Sequence, residues 1–429
     1  MTLSQLTEPD WDVIVIGAGL GGGIAGRRLA EAGMSVLFLE QGPDMPRDAV
    51  NSIETDADDP DLRQKIGAWP TRIEARINGD VTHPWGGQGT GIGGTSVFYA
   101  AAMEQPERHD LDALPDMPHP TGGWPVGFDA FLPWFDKARA VMHVNGTPYH
   151  GGPPIQGLGI PRRLQPRDES MERAFIRAGL HPYRTHLGIR QLDGCQECIG
   201  RKCPLPCKMD GRSAGVEPAL ATGRAHVMTG ATVQRLIGAN RRIEGVLIRR
   251  NGTQQILRAR QYVLAAGALG SPRLLMASAS EAWPEGCANS SGLVGRGVMF
   301  HLTERLAIWP PRDAPPPAAA GPRKVFSMRD FYRDGQMRLG LVQSLGLQAG
   351  YGDILHVLRQ TYLHHPLGRH FIGKQALRLP AHIAAWLLGT AHIFVGIVED
   401  MPDDANRVIF DPARPETIIF DYTISDQLV

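Results

Sequence analysis

The sequence predicts an α/β fold built on a parallel sheet of the Rossmann type, and three stretches of chain predict it. Asp12-Val-Ile-Val-Ile-Gly17-Ala-Gly19-Leu-Gly21-Gly22 is a β-branched run that ends in glycines and leads into Ile24 to Ala32, which reads as a helix. Ser35-Val-Leu-Phe-Leu-Glu40 reads as a second strand and ends in a carboxylate 18 residues past Gly22. Much later, Arg258 to Ala266 reads as a strand returning to the same sheet, followed by a small-residue turn and a helix with Pro272 in its first turn.

Each element has a physical reason. Gly17 permits the tight turn, Gly19 lets backbone approach a pyrophosphate, and Gly22 lets helix pack close on strand, so that phosphates meet the positive end of the helix dipole. Glu40, at its strand end, is placed to accept ribose hydroxyls. The glycine pattern recurs as Gly89-Thr-Gly91-Ile-Gly93-Gly94, but with no buried strand ahead of it. It therefore reads as a loop whose amides form an anion nest, with Thr95 and Ser96 capping a helix that runs on through Tyr99 to Met103.

Composition bounds the rest. The chain has 429 residues, 44 Lys plus Arg against 44 Asp plus Glu, 51 Gly and 34 Pro, enough length for two or three domains with many loops. Zero formal net charge argues against a nucleic-acid partner. Residues 1–10 show no signal peptide, which places the protein in the cytoplasm, free or peripherally associated with a membrane. Ala381 to Val398 is the nearest approach to a membrane span, but His382 and His392 interrupt it, and Gly389-Thr390 divide it into a helix-like and a strand-like half.

One Rossmann-type unit separates two oxidoreductase classes. A bound NAD predicts a separate dehydrogenase substrate domain, whereas FAD predicts a late return to the first sheet, as Arg258 to Ala266 provides. Taken together, the N-terminal glycine turn, Gly91-Ile-Gly-Gly-Thr-Ser96, Trp124-Pro125, Ala266-Gly-Ala-Leu-Gly-Ser-Pro-Arg-Leu-Leu275, Asn289 to Arg296 with Met299 and His301, and Glu399 with Pro402-Asp-Asp-Ala-Asn406-Arg-Val408 resemble the glucose-methanol-choline (GMC) family of FAD-dependent oxidoreductases. The resemblance spans about residues 10 to 425.

It implies that Gly17, Gly19 and Gly22 hold the FAD pyrophosphate and Glu40 the adenosine ribose. Gly93, Gly94, Thr95 and Ser96 lie along the pyrophosphate and flavin, Val233 is a main-chain ligand of the adenine edge, and Ala266 joins the cofactor set. It further implies a discontinuous FAD-binding domain (10–50, 80–108, 210–300), a covering segment (51–79), and an α+β substrate domain with an antiparallel sheet (109–209 and 301–429). Val97-Phe-Tyr-Ala100 departs from relatives that place Asn beside the flavin, and Ala277-Ser-Ala-Ser280 departs from the usual ending of the second signature.

The chemistry implied is oxidation of a CH–OH group of a sugar, polyol or other alcohol. A base removes the hydroxyl proton and hydride passes to flavin N5, most simply in a dehydrogenase that hands electrons to a partner subunit or cytochrome. The family's catalytic His belongs to a C-terminal segment not found here, because Asp421 to Asp426 matches the strand before it. The catalytic residues are therefore unassigned. The alternatives are a truncated or non-catalytic FAD-binding chain that needs a partner, and an NAD-dependent dehydrogenase. His364-His365, adjacent and followed by Pro366, make a poor substitute, and His301 reads as structural.

Cys195, Cys198, Cys203 and Cys207 form a C-x2-C-x4-C-x3-C run followed by Lys208. This spacing suits an iron–sulfur loop, as in some GMC dehydrogenases, with a zinc site and structural thiols or disulfides as alternatives. Cys287 reads as an ordinary buried residue. Phe128 to Met142 and the stretch from Met171 to Leu180 read as helices. Asp56 to Asp61 reads as a solvated loop, and Arg312 to Pro322 as an extended Pro-rich connector.

Overall fold

In the computed structural model, the described residues are 11–47, 59–239, 241–316, 323–346, 350–362 and 370–425. The pair His364-His365, the first half of the acidic run and the end of the Pro-rich connector lie outside them; the rest of the acidic run is not the loop expected, because Asp59 caps the helix Pro60–Ile66 by accepting from the amides of Asp61 and Leu62. The described residues divide into two compact units, one within Met1–Ala101, Leu192–Phe300 and Asp400–Val429, the other within Ala102–Gln191 and His301–Glu399.

The first unit is organised by four parallel strands: β1 (Trp11–Ile16), β2 (Val36–Leu39), β3 (Ala225–Met228) and β4 (Ala259–Leu264), in the order β4-β1-β2-β3. This is one Rossmann half, with the topological switch between β1 and β4. The β-branched and aromatic residues that fill β1 and β2 are buried on both faces, as a sheet covered on both sides requires. Helix α1 (Leu20–Glu31) follows the first turn, and α2 (Gly267–Ala277) follows β4. Thr232–Ala239, Arg242–Arg250 and Thr253–Leu257 form an antiparallel three-stranded sheet whose Leu236, Val246 and Ile248 pack on β1 and β2 side chains. Cys287 is buried in the same cluster.

Two boundaries differ from those expected. Ile419–Tyr422 pairs parallel with Glu74–Ile77, so the last strands and the covering segment join one sheet of the first unit. The cysteine loop also belongs there, because the Lys208 ammonium donates to Val97 O at 2.7 Å as well as to Cys198 O and Arg201 O. The helix expected through Met103 is not formed. A 3-10 turn over Gly94–Phe98 stops at an extended Tyr99, and Ala101 takes a positive φ of 58°.

The second unit is α+β, as expected. Its antiparallel sheet has the order Leu302–Ile308, His392–Val398, Gly340–Ser344, Phe326–Met328, Tyr183–Arg184. Met171 and Phe175, from the helix Pro166–Arg177, pack on Phe326 and Phe394. Glu104 ties this sheet to its flank, accepting from Tyr183 Oη (2.9 Å), Ser327 Oγ (3.1 Å), Gln343 Nε2 (3.3 Å) and Arg329 Nη2 (3.4 Å). The apolar stretch at 381–398 is the end of a helix, Arg378–Leu388, and a strand, and no helix among the described residues is long and apolar enough to cross a membrane.

One close backbone approach in the first unit is glycine on glycine. A Cβ on Gly215 would lie 2.4 Å from the Gly23 carbonyl carbon, and one on Gly23 would lie 2.6 Å from Gly211 O. Backbone cannot yield as a side-chain tip can. Gly215→Ala is expected to destabilise the first unit by about 1–3 kcal/mol, read as a lower urea midpoint, and an unchanged midpoint would contradict this packing.

Candidate functional site

At the C-terminal end of β1 the chain turns at Gly17, whose φ of 103° and the 2.4 Å from its notional Cβ to Ala265 O both demand glycine. Gly22 is needed for a different contact: its Cβ would lie 2.1 Å from Gly17 O, so α1 seats directly on the turn. Gly19 has open space where a side chain would be, and it begins α1 with no side-chain cap. The first amides of α1 are thereby left for a ligand at the positive end of the helix.

Glu40 ends β2 and is buried. Its Oε2 accepts from the Ala18 amide at 3.1 Å, and its Oε1 accepts from the Gly42 amide at 2.8 Å and the Gly91 amide at 2.9 Å. Burial raises its pKa, against the pull of those amides. A carboxylate offers about four acceptor positions, so three backbone amides leave room for about one ribose hydroxyl.

The Gly91 bond draws the second glycine loop onto the first turn. Gly93 N donates to Ala18 O at 2.8 Å, and a Cβ on Gly94 would lie 3.1 Å from Gly19 Cα. Thr95 and Ser96 do not cap a helix. Thr95 Oγ1 accepts from the Gly89 amide, while Ser96 Oγ donates to Gly93 O and accepts from the Gly211 amide.

These elements enclose a groove of about 1530 Å³, larger than the roughly 300–1,000 Å³ of ordinary small-molecule sites. Gly17, Gly19, Glu40, Gly94, Thr95, Ser96, Val233 and Ala266 all line it. Gly22 and Gly93 do not: Gly22 packs inward on the turn, and Gly93 packs against Val97 and Arg212. Sequence reasoning left out Trp69, Gln88, Arg273 and the stretch Gly295–Phe300, which also line the groove. The last of these could have been found, since Asn289 to His301 was part of the motif set.

The lining fits a dinucleotide such as FAD. Trp69 Nε1, Gln88 Oε1 and Arg273 Nε are buried polar atoms with no partner in the protein, and all three residues line this groove. Such orphans are costly unless a bound group or water satisfies them.

The cysteine loop lies apart from the groove lining. Cys195, Cys198, Cys203 and Cys207 are all buried, and none is in a disulfide. Cys203 Sγ and Cys207 Sγ lie 3.2 Å apart, and side-chain contacts join Cys198 to Cys203 and Cys195 to Cys207, so the four thiols form one cluster. Among the described residues no group of three or more His, Cys, Asp or Glu is arranged to hold a metal ion. The loop is tied to the end of the second glycine loop through Lys208, whose pKa burial lowers to about 8.

Residues 14–303 match the GMC oxidoreductase family profile. The chain is 29% identical over 354 residues to paromamine 6'-oxidase from Streptomyces fradiae, covering 77% of this chain and 62% of that one. It is 26% identical to the fructose dehydrogenase large subunit from Gluconobacter japonicus, covering 80% and 66%. The matches thus span less than two-thirds of these relatives' lengths. Among solved structures, pyridoxine 4-oxidase (Mesorbium loti) aligns with a TM-score of 0.58 at 19% identity over 96% of this chain and 76% of that one. An Aspergillus oryzae formate oxidase studied for modification of its FAD aligns with a TM-score of 0.60 at 15% identity, over 97% and 77%. These structural likenesses show the fold, and the profile match over more than half the chain, with the two-loop groove, shows that this chain belongs to the GMC oxidoreductase family.

Proposed function

We propose that the groove of the first unit binds FAD and that the protein is an FAD-dependent oxidoreductase acting on the CH–OH group of a small alcohol or sugar. The observation that carries this reading is the groove itself, where the open Gly19 turn, the Glu40 carboxylate and the Gly94–Ser96 loop meet at the switch point of the sheet. In support, the formate oxidase neighbour is one studied for FAD modification, and a further relative is 2-methyl-1,2-propanediol dehydrogenase from Mycolicibacterium austroafricanum.

Bound FAD would supply a hydride acceptor at its N5 atom. The chain's own residues do the holding. The first amides of α1 and the side of Gly19 receive a pyrophosphate, Glu40 takes one ribose hydroxyl, and the Val233 backbone borders the adenine end. Trp69 Nε1 and Gln88 Oε1 offer one donor and one acceptor. No His among the described residues lines the groove, so the proton acceptor for the alcohol is not assigned to this unit.

The FAD reading predicts that the purified protein shows the two-banded visible absorption of oxidised flavin, and that a suitable alcohol reduces a dye only when FAD is loaded. A colourless protein that takes up NAD would overturn it. Gly19→Ala gives a sharper test, because the protein has nothing within 4 Å of the added Cβ and the backbone there is extended. FAD affinity is expected to fall at least tenfold, about 1.4 kcal/mol, with circular dichroism and thermal midpoint unchanged. Equal FAD affinity in this variant would remove the pyrophosphate from the Gly19 turn.

A further inference from the structure

The second unit presents a helical face built the wrong way round for a water-facing surface. In the helix Arg378–Leu388, Leu379, Ile383, Trp386 and Leu387 fall on one stripe at helical spacing, and this stripe is exposed, at 68%, 50%, 81% and 54%. The side turned inward is small, with Ala381 fully buried. The short helix Phe371–Ala376 adds Phe371 and Ile372 at 75% and 81% exposure. Trp309, half-exposed, donates from Nε1 to Leu387 O at 3.4 Å, so it borders the same patch. Scattered exposed apolar residues need no explanation, but a contiguous group of this size marks an interaction surface.

Charge says what that surface faces. From the start of the helix Tyr351–Thr361 to residue 398 the chain holds four Lys or Arg and one acid, Asp353, in a chain whose totals are 44 and 44. Lys374 and Arg378 are exposed beside the apolar stripe. A stripe of Trp, Phe, Leu and Ile with two exposed cations beside it matches an anionic lipid surface. The helix, 11 residues and about 16 Å long, is too short to span about 30 Å of hydrocarbon.

We propose that helices 371–376 and 378–388 lie in the plane of an anionic bilayer surface, with Phe371, Ile372, Leu379, Ile383, Trp386 and Leu387 in the acyl boundary and Lys374 and Arg378 at the headgroups. Trp386 and Trp309 take the interfacial depth that suits an indole. This assignment is independent of the FAD reading.

The test is co-sedimentation of the full chain with vesicles of phosphatidylcholine alone or mixed with phosphatidylglycerol, at low salt. Partition into the mixed vesicles is expected to exceed that into neutral ones by at least about tenfold, with a blue shift of tryptophan fluorescence. Lys374→Gln with Arg378→Gln should abolish most of that difference. Ile372→Ser with Trp386→Ser should lower partition on the order of a hundredfold and, because both side chains are exposed, leave the thermal midpoint of the unbound protein unchanged. No sedimentation, equal partition into both vesicle types, or a stable dimer in solution that buries Trp386 would each overturn the proposal.

Discussion

The nucleotide unit depends on a buried carboxylate. Glu40 holds the amides of Ala18, Gly42 and Gly91 at one point, and so fixes the end of β1, the end of β2 and the second glycine loop relative to one another. Each of these amides, left unpaired in a buried junction, would cost about 1–3 kcal/mol. The groove is the consequence. Its floor is the first turn, its side is the second loop, and the distance between them is set by a side chain that belongs to neither.

Two glycine uses then separate what is structural from what receives a ligand. At Gly17 and Gly22 a side chain would strike backbone within 2.4 Å, so those positions are required by the fold itself. At Gly19 nothing in the protein occupies the space, so glycine there serves something the chain does not contain. The orphan atoms of Trp69, Gln88 and Arg273 point the same way, since polar groups this well buried are rarely left unpaired without a ligand or water to meet them.

Much of this was legible in the sequence. The strand-turn-helix at 12–32, the acid at 40 and the returning strand at 259–264 are local patterns whose periods and turn residues declare themselves. What was not legible depends on long-range geometry. That Glu40 bonds an amide 51 residues away, at Gly91, leaves no local trace. Gly93 looks like its neighbours in the loop, yet it packs away from the groove because Val97 and Arg212 close over it. The cysteine spacing predicts that the four thiols come together, as they do, but it carries no trace of Lys208 reaching Val97 O, 111 residues away. The stripe at 379, 383, 386 and 387 has the period of any amphipathic helix, and periodicity is blind to whether such a stripe faces the core or the outside.

Glu40 is the junction of the two loops, and amide hydrogen exchange in the Glu40→Gln variant tests that role most directly. Glutamine keeps the size of the side chain but replaces one acceptor oxygen with a donor, which cannot serve three amides. The prediction is faster exchange, relative to the unaltered protein, in residues 17–20 and in residues 89–94 together, with the helix Pro166–Arg177 of the second unit unaffected. Unchanged protection at Gly91 and its neighbours would contradict it.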